Sequence, residues 1–282
     1  MIQPEKTSQN NKQAILQQQI QIDQPQTAID SLSAQLALSR QQLKRAMQNG
    51  AVWLENAQGI QRIRRAKKML QPGDQLHIYY DEHIQQALAA PADCVADEGA
   101  YSVWNKPSGM YSQGTRWGDH CSIYRWAETH LQPQRPAYLV HRLDRAASGL
   151  ILLAHGKKIA AQLARLFEQR NIYKEYSALV EGRFIPERLP LHIEQSLDDK
   201  PALSEIISAE FDAATNTTRL RISLHTGRKH QIRRHLSGLG YPIVGDRLYG
   251  AKNQAVNLQL TSMRIAFRSP LDHAEKTYCL EP

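Results

Sequence analysis

The spacing of apolar residues divides the chain into a polar start, a small module and a larger domain. Residues 1–26 are rich in glutamine and poor in large apolar side chains. Such a segment buries too little surface to offset its ordering entropy, so we expect a flexible tail. The alternative is a helix over Asn11–Ile22, because Ile15, Leu16 and Ile20 have rough helical spacing.

The pattern over residues 27–80 predicts a small module of helices and short strands. Its apolar residues at helical intervals are Ile29, Leu32, Leu36 and Leu43. Strands are predicted at Ala51–Leu54 and Leu76–Tyr79, and Pro72-Gly73-Asp74 forms a turn before the second strand. We interpret residues 81–98 as a linker.

Residues 99–282 are predicted to form one α+β domain. Predicted strands are Ile151–Ala154, Tyr176–Val180, residues 218–225 and late strands around Leu258–Phe267. Predicted helices are Lys157–Arg170, which is amphipathic, and Lys229–Leu239, which Gly240 closes. Because strands and helices do not alternate regularly, a doubly wound parallel sheet is not expected.

Charge favours a polyanionic partner without proving one. The formal net charge is +8, from 35 basic and 27 acidic residues. Each phosphate that a basic side chain neutralises releases counterions, although many basic proteins never bind nucleic acid. A dense basic run spans Arg62–Lys68 and includes Arg64 and Lys67. It is either a solvated helix face or a patch that follows an RNA backbone.

Cysteine usage and hydropathy predict a protein of the reducing cytoplasm. The sequence does not show the oligomeric state, and a monomer is the default expectation. Cys94, Cys121 and Cys279 are widely spaced and form no CxxC pair, which favours neither disulfides nor a zinc knuckle. The start of the chain lacks a signal-peptide pattern, and no apolar run approaches the ~20 residues that span a bilayer. Three histidines recur every fifth position, which scatters them around a helix and argues against zinc: His225, His230 and His235.

Two polar segments carry candidate chemistry. In Tyr138–Leu150, the carboxylate of Asp144 stands between Arg142 and Arg145. An opposite charge favours the ionised form of a carboxylate, and an oriented carboxylate can attack an electrophilic carbon. Alone, this segment is better interpreted as a structural ion pair. The second segment, His225–Leu236, has Thr-Gly-Arg before a helix, which leaves backbone N–H groups and a guanidinium for an anion.

Four motifs in order resemble the RluA-type RNA pseudouridine synthases. They are Asn105-Lys106-Pro107-Ser108-Gly109, His141-Arg142-Leu143-Asp144 with Ser148-Gly149, the strand Ile172–Gly182, and Thr226-Gly227-Arg228-Lys229-His230-Gln231-Ile232-Arg233 with its Pro242–Gly250 tail. The chain departs from the family at Ala147, where threonine is usual. Residues 27–80 resemble an S4-type RNA-binding domain, although Trp53–Asn56 replaces its usual Val-Asn-Gly turn.

The resemblance implies a mixed, largely antiparallel sheet, no cofactor or metal, and isomerisation of uridine in RNA. It implies Asp144 as the nucleophile, Arg233 as its partner and Tyr176 stacked on the uracil. Candidate RNA contacts are Lys106, Arg142, Arg145, Arg228, Lys229, Arg64 and Lys67. Ribosomal RNA is favoured by family analogy, and transfer RNA is the alternative.

Two other functions stay open at this point. A non-catalytic S4-type RNA-binding protein would also be basic, but it would not need the set of Asp, Tyr and Arg. A glycoside hydrolase needs a second carboxylate, for which Asp246 is the only motif candidate nearby. The segment 111–128, with Trp117 and Trp126, is either core packing or a substrate-facing loop.

Overall fold

The structure is a computed structural model that describes residues 15–251 and 255–281, and its chain forms two compact units. The first unit contains the residues up to Ala89 together with Gly114–Cys121. The second contains Ala90–Gln113 and the residues from Ser122 onward. In the described part of the chain, no helix is long and apolar enough to cross a membrane.

The first unit packs two helices on a small sheet. Its elements are β1 (Ile15–Gln21), β2 (Gln26–Thr27), α1 (Ala28–Gln35), α2 (Arg40–Gln48), β3 (Val52–Asn56), β4 (Gly59–Arg62), β5 (Met69–Leu70), β6 (Gln75–Asp81) and α3 (Glu82–Gln86). The main sheet has the order β1-β6-β3-β4, and β2 pairs with β5. Ser39 begins α2 with a capping box, in which Ser39 and Gln42 satisfy each other's backbone N–H groups. Leu32, Leu43 and Leu76 are among its fully buried core residues.

The predicted flexible tail was wrong from Ile15 onward. Ile15–Gln21 forms a strand, not a tail or a helix, and it pairs antiparallel with β6. Ile20 and Ile22 are buried in the core of the first unit, whereas Gln17, Gln19 and Gln21 are exposed. A strand needs only alternate apolar residues, so a glutamine-rich sequence can supply its polar face. The rest of the predicted tail, and the start of the alternative helix, lie outside the described residues.

The basic run is not a helix face, and two of its arginines are structural. Arg62 and Arg64 both form ion pairs with Asp119, which belongs to the segment Gly114–Cys121. The side chain of Asp119 is 1% exposed. The Arg64 Nη1 also donates to the carbonyl of Gln48 at 2.7 Å. Trp53 donates its indole N–H to the carbonyl of Arg116 at 3.1 Å. These contacts fold Gly114–Cys121 into the first unit, although its sequence neighbours on both sides belong to the second.

The second unit is built on a large, mostly antiparallel sheet. Its elements are β7 (Asp93–Asp97), β8 (Tyr101–Lys106), α4 (Ile123–His130), β9 (Tyr138–Leu139), β10 (Ser148–Ala154), α5 (Lys157–Glu168), β11 (Ile172–Glu181), β12 (Leu191–Glu194), β13 (Leu203–Asp212), β14 (Thr217–Leu224), α6 (Gln231–Gly238), β15 (Leu260–Arg268) and β16 (Glu275–Cys279). The strand order is β12-β13-β14-β11-β15-β10-β8-β7, with β16 beside β15 and β9 beside β10. Among the described strands, β10 and β15 form the parallel pair.

The core of this unit lies between the middle of the sheet and α5. Apolar residues of β8, β10 and β15 pack against Ile159 and Leu163, the buried face of α5. The predicted mixed, largely antiparallel α+β architecture is therefore confirmed. The predicted linker was wrong for Asp93–Asp97, which pairs with β8 as β7, the last strand of the sheet order, and for Glu82–Gln86, which is α3.

Candidate active site

The loop that carries Asp144 joins β9 to β10 and is fixed by the residues that follow β8. Ser112, 5% exposed, donates its hydroxyl to the Leu143 carbonyl at 2.7 Å and accepts the Leu143 N–H at 3.0 Å. The Ser108 hydroxyl donates to the Ala146 carbonyl at 2.7 Å. The backbone is thus held from a neighbouring loop one residue before Asp144 and two residues after it, which limits how far Asp144 can shift.

Lys106 holds the same loop and does not face the cleft. Its side chain is fully buried, and its Nζ donates to the carbonyls of Pro107 and Met110 at 3.0 Å and of Ala147 at 2.6 Å. Burial lowers the pKa of Lys106 to about 8, while the charge of Asp144 acts in the opposite direction. The expectation that Lys106 contacts RNA phosphate was therefore wrong: its ammonium is used on backbone carbonyls.

Three adjacent strands bring Tyr176 to the end of this loop. Gly149 of β10 is paired with Ser262 of β15, and Ser262 is paired with Tyr176 of β11. Gly149 has a φ of 104°, and a Cβ there would lie 2.3 Å from the Ser262 carbonyl oxygen, so only glycine permits this approach. The side chain of Tyr176 lines the same small cavity, of about 110 Å³, as Asp144.

Arg233 connects two carboxylates. It lies in the first turn of α6, where its Nε and Nη2 donate to the two oxygens of Asp246, both at 2.8 Å. Its Nη1 donates to Asp144 Oδ2 at 3.2 Å. The Asp246 side chain is fully buried, whereas that of Asp144 is 28% exposed. Asp246 is therefore occupied as the anchor of Arg233 and is not free to act as the second carboxylate of a hydrolase.

Tyr176 is a buried aromatic wall of the site. It is 6% exposed, and burial raises its pKa to about 12, with the charge of Asp144 acting in the same direction. The phenol is therefore neutral at physiological pH. Its ring can provide apolar contact to a base, but a neutral phenol is a weak proton acceptor.

His230 lies on the other side of Asp144 and was not among the predicted site residues. Its Nε2 is 3.8 Å from Asp144 Oδ1, and its Nδ1 is 3.0 Å from the hydroxyl of Tyr249. Both residues stand inside the motifs that the sequence offered, but nothing in the sequence shows where their side chains point. His230 precedes α6 in the left-handed region, with φ 54° and ψ 30°.

The loop before α6 is shaped by Gln231. Its Oε1 accepts the Arg228 N–H at 3.0 Å and the Thr226 hydroxyl at 2.7 Å, and its Nε2 donates to the Leu203 carbonyl at 3.0 Å. Thr226 and Gln231 are buried. This network holds the Thr-Gly-Arg turn against β13, so that Arg228 and Lys229 line the cleft.

Asp144 opens into a basic cleft with a volume of about 930 Å³. Its cationic lining residues are Arg142, Arg145, Arg170, Lys174, Arg228 and Lys229, and its carboxylates are Asp144 and Glu168. Arg142 and Lys229 are exposed, while Arg145 donates to the Gly109 carbonyl and lies over the Tyr111 ring at 4.4 Å. Low-dielectric walls that carry one sign of charge concentrate the field, which attracts a polyanion.

The remaining predicted residues are elsewhere. Arg64 and Lys67 belong to the first unit, and Lys67 is exposed. The segment 111–128 is divided: Tyr111, Ser112 and Gln113 line the cleft, Gly114–Cys121 folds into the first unit, and the rest begins α4. Within the described ranges, no cluster of His, Cys, Asp and Glu could hold a metal ion.

Comparison with known proteins decides the family. Residues 100–238 match the family model described as RNA pseudouridylate synthase. The chain is also 32% identical over 212 residues to the dual-specificity RNA pseudouridine synthase RluA of Pasteurella multocida, a match that covers 67% of this chain and 93% of that protein. The chain belongs to the RluA-type RNA pseudouridine synthases. The predicted family and enzyme class are thereby confirmed.

Other matches agree with the synthase assignment. RluA of Escherichia coli is 39% identical over 188 residues, with 62% of this chain and 76% of that protein covered. The human RNA pseudouridylate synthase domain containing 1 shares the fold, with a TM-score of 0.56 at 21% identity over 68% of this chain and 84% of that one. The synthase is thus an isomerase that acts on RNA.

Proposed function

We propose that the synthase converts uridine to pseudouridine with Asp144 as its nucleophile. The observation that carries this assignment is the arginine bridge. Asp246 fixes one edge of Arg233, and Arg233 presents Nη1 to Oδ2 of a carboxylate that stays accessible from the cleft. A guanidinium fixed in this way gives the carboxylate a cationic partner and restricts its orientation, and an oriented carboxylate can attack an electrophilic carbon.

The reaction breaks the bond between N1 of the uracil and C1′ of the ribose, and it rejoins the base through C5. We propose that Tyr176 stacks on the base during this rearrangement. A uridine inside an RNA helix must leave its stack, which costs a few kcal/mol, and aromatic contact together with cationic backbone contacts can offset that cost. Both are available beside Asp144, because Tyr176 and Arg142 line the same cavity.

The RNA backbone is proposed to follow the cations of the cleft. Arg142, Arg145, Arg228 and Lys229 line it together, and phosphate contacts of this kind position the substrate without reading its sequence. Their number also predicts strong salt dependence of RNA binding, because each neutralised phosphate releases counterions.

The first unit is proposed to be an S4-like RNA-binding domain that adds a second contact. It has the two successive helices α1 and α2, and the loop after β4 exposes Arg65, Lys67 and Lys68. Two RNA contacts suit a large structured RNA, and we therefore favour ribosomal RNA over transfer RNA. Pseudouridine mapping of total RNA from cells with and without the gene decides between them.

The nucleophile is tested with Asp144→Asn and RNA that contains 5-tritiated uridine. The wild type should release tritium, because C5 loses its hydrogen when the new bond forms. The variant should bind the RNA with near wild-type affinity and release no tritium, because an amide cannot replace the attacking carboxylate. The matched control is Asp198→Asn, which changes another arginine-paired aspartate on the surface, 66% exposed and outside the cleft. Wild-type turnover by Asp144→Asn would show that the nucleophile is another group.

A further inference from the structure

The two oxygens of Asp144 have different environments. Oδ2 accepts a hydrogen bond from Arg233, whereas Oδ1 faces the imidazole of His230 across 3.8 Å. That distance is too long for a hydrogen bond at rest, although contacts in an empty active site often tighten when substrate binds. A carboxylate that is held at one oxygen can still rotate about its bond to Cβ. A donor on the second oxygen would fix its plane.

His230 has a left-handed backbone conformation, and its ring faces Asp144. Its left-handed conformation is uncommon for residues other than glycine and costs on the order of 1–3 kcal/mol where surrounding contacts enforce it. The conformation comes immediately before α6, the helix that carries Arg233. The His230 side chain is 19% exposed and lines both the cleft and the smaller cavity beside Tyr176.

Tyr249 fixes the imidazole from behind. Its hydroxyl is 3.0 Å from His230 Nδ1, and the two rings meet edge to face at 5.7 Å. Tyr249 is itself anchored, because its backbone N–H donates to Asp246 Oδ1 at 3.1 Å and the guanidinium of Arg233 lies 5.1 Å from its ring centre. The same buried carboxylate therefore anchors both chains of contact that reach Asp144.

The imidazole of His230 has one N–H, which is on either Nδ1 or Nε2. Burial lowers the pKa of His230; Asp144 and Asp246 oppose this effect, whereas Arg233 and Lys229 reinforce it. The imidazole is therefore neutral at pH 7, and a neutral imidazole donates from one nitrogen and accepts at the other. If the Tyr249 hydroxyl donates to Nδ1, the N–H must be on Nε2, the nitrogen that faces Oδ1.

We infer that Tyr249 and His230 act in series as positioning residues, with Tyr249 setting the N–H on Nε2 of His230 and that N–H orienting Oδ1 of Asp144. Arg233 and His230 then hold the carboxylate from two sides, and Oδ1 is the oxygen directed at the substrate carbon. This assignment rests on the proposed role of Asp144 as nucleophile. Tyr249 affects the carboxylate only through His230.

The test is a double-mutant cycle of Tyr249→Phe and His230→Ala, with kcat and KM measured by tritium release. Tyr249→Phe removes one hydroxyl and keeps the ring that faces Arg233. It should lower kcat about tenfold, because the hydrogen bond from His230 Nε2 to the Asp144 carboxylate is no longer enforced, and leave KM and melting temperature unchanged. In the His230→Ala background, Tyr249→Phe should have no further effect, because the group through which it acts is gone. Tyr138→Phe, the same change outside the cleft, is the control.

His230→Gln adds an independent measurement. Its amide can place an N–H where Nε2 lies, so it should retain more turnover than His230→Ala at equal RNA affinity. Wild-type kcat for Tyr249→Phe, or additive losses in the cycle, would overturn the inference even if Asp144→Asn is inactive. If Asp144→Asn keeps its turnover, it is the proposed nucleophile that fails, so the two failures are distinguishable.

Discussion

Replacing Lys106 with methionine should destabilise the protein by an amount that grows as the pH rises. The ammonium of Lys106 is fully buried and supplies the donor for three backbone carbonyls. A buried acceptor that loses its donor costs about 2 kcal/mol. A pKa of about 8 in place of 10.5 means that burial costs the charged form about 3 kcal/mol. Three lost donors outweigh this cost, which leaves Lys106→Met about 3 kcal/mol less stable at pH 7.

The pH dependence follows from the direction of the pKa shift. Between pH 8 and 10.5 the folded protein has released the Lys106 proton while the unfolded chain still binds it. Unfolding then takes up a proton, so raising the pH stabilises the wild type through this group. Methionine lacks the effect. The difference in unfolding free energy between wild type and variant should therefore increase by about 2 kcal/mol from pH 7 to pH 9.5.

Urea unfolding followed by tryptophan fluorescence measures this difference at both pH values. Other titrating groups cancel because they are common to the two proteins. Lys158→Met, at an exposed lysine of α5, serves as the control and should show no such increase. A difference that stays constant or shrinks between pH 7 and pH 9.5 would refute the argument that Lys106 is a buried, desolvated cation.

Further substitutions distinguish residues that stabilise the fold from residues that contact RNA. Asp246→Ala should lower the unfolding free energy by about 3–5 kcal/mol, because it leaves the buried Arg233 without the carboxylate that binds two of its nitrogens. The variant should also release less tritium. Stability equal to wild type in urea unfolding would argue against Asp246 as the anchor. Lys67→Glu with Lys68→Glu should keep the melting temperature and weaken RNA binding, whereas Arg64→Glu should lower the melting temperature, since Arg64 pairs with Asp119. Equal RNA affinity across a salt titration would show that Lys67 and Lys68 only keep the protein soluble.

Elements with a local apolar pattern were predictable from the sequence. The buried stripe of α5 and the alternation of β14 fixed these elements to within two residues, because burial of one face leaves a visible period. Ile15–Gln21 was missed because its apolar period is weak. The strand is held by pairing with β6, some sixty residues away, and glutamines occupy its other face.

The sequence predicted which residues belong to the candidate site, but it did not predict which contacts they make. Asp144, Tyr176 and Arg233 come from a loop, a strand and a helix, and the sheet order and Asp246 bring them together. Lys106 was misassigned because a motif names a residue without showing on which side of the chain its side chain lies. The left-handed conformation of His230 and the position of its imidazole beside Asp144 are equally invisible in a sequence.

The chain passes between its two units three times, at residues 89/90, 113/114 and 121/122, because Gly114–Cys121 folds with the first. A single cleavage between Ala89 and Ala90 therefore cannot yield two intact halves. A fragment that starts at Ala90 would carry Asp119 without its ion-pair partners Arg62 and Arg64. Separating the two units would require cuts on both sides of Gly114–Cys121 as well as between Ala89 and Ala90.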